Sequence, residues 1–141
     1  MAETRGVTVV LADPVGVARA ALRRLVEATW GWTVVAEASD GFDAVRAART
    51  ERPDVLLVDA AIGGIGVSDI RRTLADTSTL VVALLERPEQ HAGQQGPSAL
   101  KSVPSEALQS LIMGHLRRRW MEAAELSPDP ADVPSAATVS S

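Results

Sequence analysis

Five short apolar runs recur along the chain, each rich in valine or leucine and each closed by polar or glycine-bearing residues: 7–12 (VTVVLA), 33–38 (TVVAEA), 55–58 (VLLV), 80–84 (LVVAL) and 98–101 (SALK). Runs of four to six such residues predict strands. The unbroken apolarity of 55–58 predicts a strand buried on both faces, as in parallel sheets. Between the runs the period changes from two to about 3.6. Val17, Ala21, Leu22 and Leu25 predict one face of a helix over 15–27, started by Asp13 as cap with Pro14 in the first turn and broken at Trp30-Gly31-Trp32. Phe42, Val45 and Ala48 predict a helix over 42–50, and 67–74 a shorter one. Leu108, Leu111, Ile112, His115 and Leu116 predict a long helix over 104–125. The polar, glycine-bearing stretch 86–97 leaves room only for a short helical turn.

Strands alternating with helices predict an α/β domain, a parallel sheet covered on both faces. Right-handed crossovers and five strands favour the doubly wound order 2-1-3-4-5, in which ligands collect at the carboxyl ends of strands 1 and 3. A length of 141 residues suits one domain, assigned to 1–125, with 126–141 (proline-, serine- and alanine-rich) as a disordered tail. Aromatic residues are 3% of the chain, so the core must be aliphatic. A net charge of −4 offers no footprint for nucleic acid. The chain has no cysteine, the first six residues are polar, and no apolar run is long enough to span a bilayer, so a cytoplasmic location without membrane attachment is expected.

Chemistry concentrates at three strand ends. Asp13 follows strand 1, Asp59 ends strand 3 and Lys101 ends strand 5, so all three fall on one edge of the sheet. Lys101 is the single lysine among fourteen basic residues. Its compact ammonium does what a planar guanidinium cannot, reaching one anionic oxygen from a flexible stem. Two carboxylates can hold a hard cation such as Mg²⁺, and a carboxylate can attack phosphorus to give an acyl phosphate. The plainer alternatives are a helix cap for Asp13, a loop entry for Asp59 and a surface lysine for Lys101. Gly63-Gly64-Ile65-Gly66 lacks the Lys-Ser/Thr of a phosphate-binding loop and suits a flexible filler. His91 and His115 have no ligand cluster nearby in sequence, and no Ser-His-Asp or Cys-His set is visible, so no enzyme activity is expected.

Three stretches, 9–13 (VVLAD), 35–45 (VAEASDGFDAV) and 52–59 (RPDVLLVD), together resemble the receiver domain of bacterial two-component response regulators, in the branch that usually carries a C-terminal helix-turn-helix. The resemblance covers roughly residues 5–120. It implies the flavodoxin-like fold, Asp59 at the position that accepts a phosphoryl group from a histidine kinase, Asp13 with Asp59 at the Mg²⁺ site, and Lys101 at the position that pairs with the phosphoryl oxygen.

The departures fall on the same machinery. The family's acidic pair reads Asp13-Pro14 here, which removes a carboxylate from the metal site. The hydroxyl expected at the end of strand 4 is replaced by Ala83 or Leu84, and the aromatic switch residue of strand 5 by Ser98. The loop after Asp59 lacks its usual proline, and the link from strand 4 to strand 5 is short enough to reduce the fourth helix. The resemblance with these losses implies an atypical receiver acting mainly through protein partners, such as a histidine kinase or another regulator, with weak or no phosphorylation at Asp59, a weakened Mg²⁺ site and no direct contact with nucleic acid. Homodimerisation through the face from strand 4 to the last helix is a second mode. Two alternatives stay open: a working Mg²⁺-dependent phosphoryl switch, and a receiver-like module that senses a small ligand.

Overall fold

The five apolar runs pair as β1 (Thr8–Ala12), β2 (Thr33–Ala38), β3 (Val55–Asp59), β4 (Leu80–Leu85) and β5 (Ser98–Leu100) in a computed structural model that describes residues 6–126. The sheet is parallel throughout, in the order β2-β1-β3-β4-β5. Four helices connect and cover it: α1 (Gly16–Leu25), α2 (Gly41–Glu51), α3 (Val67–Thr73) and α4 (Ser105–Leu126). This is the predicted doubly wound, flavodoxin-like architecture.

Period-two alternation divides the core between the two faces of the sheet. Val9, Leu11, Val55, Leu57, Val82 and Leu84 point to one side, with Leu108, Ile112 and Leu116 of α4 and the Trp30–Trp32 pair. Val10, Leu56, Val58, Val81, Ala83 and Leu85 point to the other, with Ala44 and Ala48 of α2 and Ile70 of α3. All five residues of β3 and all six of β4 are buried. Each fully buried valine or leucine contributes on the order of 1.5–3 kcal/mol. The two edge-to-face tryptophans, ring centroids 4.8 Å apart, supply bulk at one end of this aliphatic core.

Several local expectations need correction. Asp13 does not sit at the helix cap. Val15 occupies that position, and the Asp13 carboxylate instead accepts the Val15 N–H two residues on. Val17, expected on the apolar face of α1, is 82% exposed; Ala21, Leu22 and Leu25 keep the expected face, and Ala18 in place of Val17 completes it. The break at Trp30-Gly31-Trp32 is observed, but the helical run does not stop at residue 27. It widens into a π-helical turn over Val26–Trp30, which rotates Val26 and Trp30 into the core before Gly31, at φ 73°, ends it.

The link from β4 to β5 holds one 3₁₀ turn, Pro88–Gly93, in place of a full helix. Arg71 of α3 reaches across instead, donating to the carbonyls of Val81 (2.6 Å) and Pro97 (2.7 Å). Burial lowers its pKa from the ordinary arginine value. At the other end α4 runs past the sheet, and residues 121–125 are all exposed. Of the expected tail, Leu126 closes α4, and 127–141 lie outside the described residues.

Candidate functional site

The carboxyl ends of β1, β3 and β5 converge at the switch point between β1 and β3, as the strand order requires. Asp13, one residue past β1, is fixed by its N–H to the Ala38 carbonyl (3.0 Å). Asp59 is the last residue of β3, and Lys101 follows β5, its backbone N–H on the Leu85 carbonyl (2.8 Å). Both carboxylates are buried, and the lysine side chain is 26% exposed.

The three side chains meet. The Lys101 ammonium donates to Asp59 Oδ2 at 2.6 Å and to Asp13 Oδ2 at 3.1 Å. The remaining oxygens are held by the backbone: Asp13 Oδ1 accepts the Val15 N–H (2.8 Å), and Asp59 Oδ1 accepts the Ala61 N–H (2.7 Å). Arg19 donates to the Asp13 carbonyl at 2.6 Å and pairs outward with Glu37, so its charge is not spent on the acidic side chains. Burial works against the Lys101 charge, but the hydrogen bonds it donates to Asp59 and Asp13 and their negative charge outweigh it, and the ammonium titrates above the ordinary lysine range.

A third carboxylate, Glu86, lies 3.3 Å from Lys101 and is mostly exposed. Sequence reasoning missed it. The signal was alternation: Glu86 stands two residues after Leu84, so it falls on the side of the sheet that Leu84 faces. Register also decides between the two candidates for the hydroxyl position. Leu84 pairs with Asp59 and Ala83 with Val58, so Leu84, buried, stands beside the acid.

The loop after Asp59 folds back on α2. The Gly41 N–H donates to the Gly63 carbonyl at 2.8 Å, and a Cβ on Gly41 would run into the carbonyl of Ile65. The glycine-rich stretch thus makes a backbone contact with the start of α2. His91 bonds Ser98 and His115 contacts Arg118, away from the three acids. Burial, then the charges of Arg118 and Arg119, lower the pKa of His115.

The donor set is a poor match to Mg²⁺. A hard divalent cation takes several oxygen ligands. Here two buried carboxylates are available, each with one oxygen on a backbone N–H and the other on Lys101, the third, Glu86, is mostly exposed, and exposed Pro14 brings no side-chain oxygen. Among the described residues no group of three or more His, Cys, Asp or Glu is arranged to hold a metal ion. Among the same residues no helix is long and apolar enough to cross a membrane.

No protein-family model matches the chain. Individual proteins do. It is 29% identical over 147 residues to the response regulator UvrY of Escherichia coli K12, an alignment covering 92% of this chain and 67% of that protein. It is 38% identical over 90 residues to a protein-glutamate methylesterase/protein-glutamine glutaminase of Anaeromyxobacter dehalogenans, an alignment covering 63% of this chain and 26% of that protein. Among solved structures, a LuxR-family two-component response regulator from Aurantimonas superposes with a TM-score of 0.68 at 25% identity, covering 89% of this chain and all of that one. With the strand order, the converging acids and the lysine beside them, these likenesses place the chain among the receiver domains of bacterial two-component response regulators.

Proposed function

We propose that this chain is an atypical cytoplasmic receiver that signals through contacts with partner proteins and takes a phosphoryl group at Asp59 poorly or not at all. The observation that carries the reading is the closed arrangement at the strand ends, where Lys101 holds both carboxylates and each carboxylate's second oxygen is held by the backbone. Attack on phosphorus needs an Asp59 lone pair turned toward the incoming group, and positive charge to neutralise that group. Freeing Asp59 Oδ2 breaks its 2.6 Å bond to Lys101. Recruiting Mg²⁺ sets a divalent ion against that same ammonium with one carboxylate fewer than the family supplies. Leu84 offers no hydroxyl to hold the phosphoryl oxygen, so an acyl phosphate at Asp59 would leave the β4 side of the site unchanged.

In this reading Asp59 and Lys101 keep the acceptor and phosphate-pairing positions, and Asp13 with Asp59 keeps a weakened Mg²⁺ site. Contact with a histidine kinase or another regulator, or with a second copy through the face from β4 to α4, then depends on the resting surface. Incubation with Mg²⁺ and acetyl phosphate, or with beryllofluoride, followed by intact-mass and ¹⁹F measurements, is the test. Less than stoichiometric adduct at saturating reagent is expected. A stable, stoichiometric adduct that disappears in Asp59→Asn would instead establish a working switch.

A further inference from the structure

Helices α1 and α4 flank the same face of the sheet without closing on one another, and a cleft of about 390 Å³ lies between them. One wall is the α1 stripe Ala18, Ala21, Leu22 and Leu25, spaced i, i+3, i+4, i+7. A stripe with that spacing normally disappears into a core. Here no residue of α1 is fully buried, and Leu25 remains 37% exposed. Leu84 and Leu108 line the cleft from the sheet and α4, and Asp13 and Lys101 close its polar end.

The charge at that end selects the occupant. An ammonium has three N–H donors. Lys101 gives two of them to Asp59 and Asp13, at 2.6 and 3.1 Å, and Glu86 pairs with the ammonium at 3.3 Å, so three carboxylates already surround the place an incoming anion would need. Three carboxylates against one ammonium leave the cluster negative, and Asp13 keeps lone pairs beyond the two hydrogen bonds it accepts. The complement is a cation. Size points to a small molecule: pockets of about 300–1,000 Å³ are typical for such ligands, whereas a helix about 10 Å across would fill this one with roughly a single turn. A second groove of about 410 Å³, along β2 and α2, also carries acids, with Arg19 paired to Glu37, Arg46 to Asp43, and Glu51 besides, but its apolar lining is only Ala36, Ala38 and Ala47, too little to seat an apolar body.

We propose that the α1–α4 cleft binds a small amphipathic amine, its apolar body against the α1 stripe and Leu84 and its ammonium on Asp13. Asp13 and Leu84 belong to both the cleft and the surroundings of Asp59, so occupancy is felt at the acidic site whether or not Asp59 is ever phosphorylated.

The test titrates the ¹⁵N-labelled full chain with hexylamine, phenethylamine and tryptamine, against hexanoate and phenylpropionate as charge-reversed controls, reading backbone amide shifts. Saturable shifts over residues 18–25 and 101–108 with at least one amine, and none with the carboxylates, are expected. Ala21→Trp fills the cleft and abolishes them; Ala18→Met replaces it should that variant lose its cooperative melt. Asp13→Asn weakens binding by about tenfold, the loss of one charge-assisted contact. Four results overturn the proposal: no saturable shift with any amine, shifts that survive the cleft-filling variant, carboxylates that bind equally well, or ligand-free, concentration-dependent shifts of the α1 stripe with a dimer in sedimentation, which would make the groove a protein interface.

Discussion

Lys101 is where electrostatics and stability meet. The chain has one lysine, no tyrosine and no cysteine, so apart from the chain's own amino terminus little else titrates in the alkaline range. The folded-state pKa of Lys101 lies above the ordinary 10.5. A raised pKa means that the pairing stabilises the fold in full below that value and that its contribution is lost as pH climbs through the raised one. Thermal melts from pH 7 upward should therefore be flat to about pH 10 and then fall. Lys101→Met should lack most of that alkaline fall and be less stable at neutral pH by about 1–3 kcal/mol, the cost of leaving two carboxylates unpaired, reduced because the site is a quarter open to solvent. Pro14 and Leu84 define the complementary experiment. Pro14→Asp with Leu84→Thr restores a carboxylate and a hydroxyl, and should raise Mg²⁺-dependent labelling of Asp59 by acetyl phosphate by an order of magnitude or more. Unchanged labelling, read by intact mass, would show that the obstacle lies elsewhere.

At the scale of elements, the strands were legible and the details of α1 were not. β3 and β4 announce themselves because a strand buried on both faces must be apolar throughout, whatever its neighbours. The meeting of Asp13, Asp59 and Lys101 followed from strand order alone. The π-helical turn at Val26–Trp30 did not, since one extra residue per turn leaves no mark in a 3.6-residue pattern and is decided by which side chains the core accepts. The exposure of Val17 has the same origin, because the stripe was read from local spacing while packing decides which residue of the first turn joins it. Glu86 was hidden by the assignment of its segment to a loop. The clamp made by Arg71 depends on how close α3 comes to the β4–β5 link, which sequence spacing does not carry. The loop after Asp59 is also an element property. Gly41→Ala would push a methyl into the Ile65 carbonyl and should cost about 1–3 kcal/mol, seen as a lower urea midpoint at unchanged slope.

For the whole molecule, the sheet separates two halves whose grooves differ in where they lie. The side covered by α2 and α3 packs Ala44, Ala48 and Ile70 against β1, β3 and β4, and its groove along β2 and α2 lies away from the acids. The side covered by α1 and α4 holds the tryptophans and the long helix, yet leaves the cleft beside α1. Leu84 lies on that second side, next to the acids. The fold therefore spends its polar groups on one rim and its packing slack just beneath it. One consequence concerns covalent labelling. Acylating reagents react with the neutral amine, and the single ε-amine of this chain is held charged between buried acids. In the native protein that nitrogen should be a sluggish nucleophile, and its acylation rate will follow how often the strand ends separate, making a built-in clock for local opening.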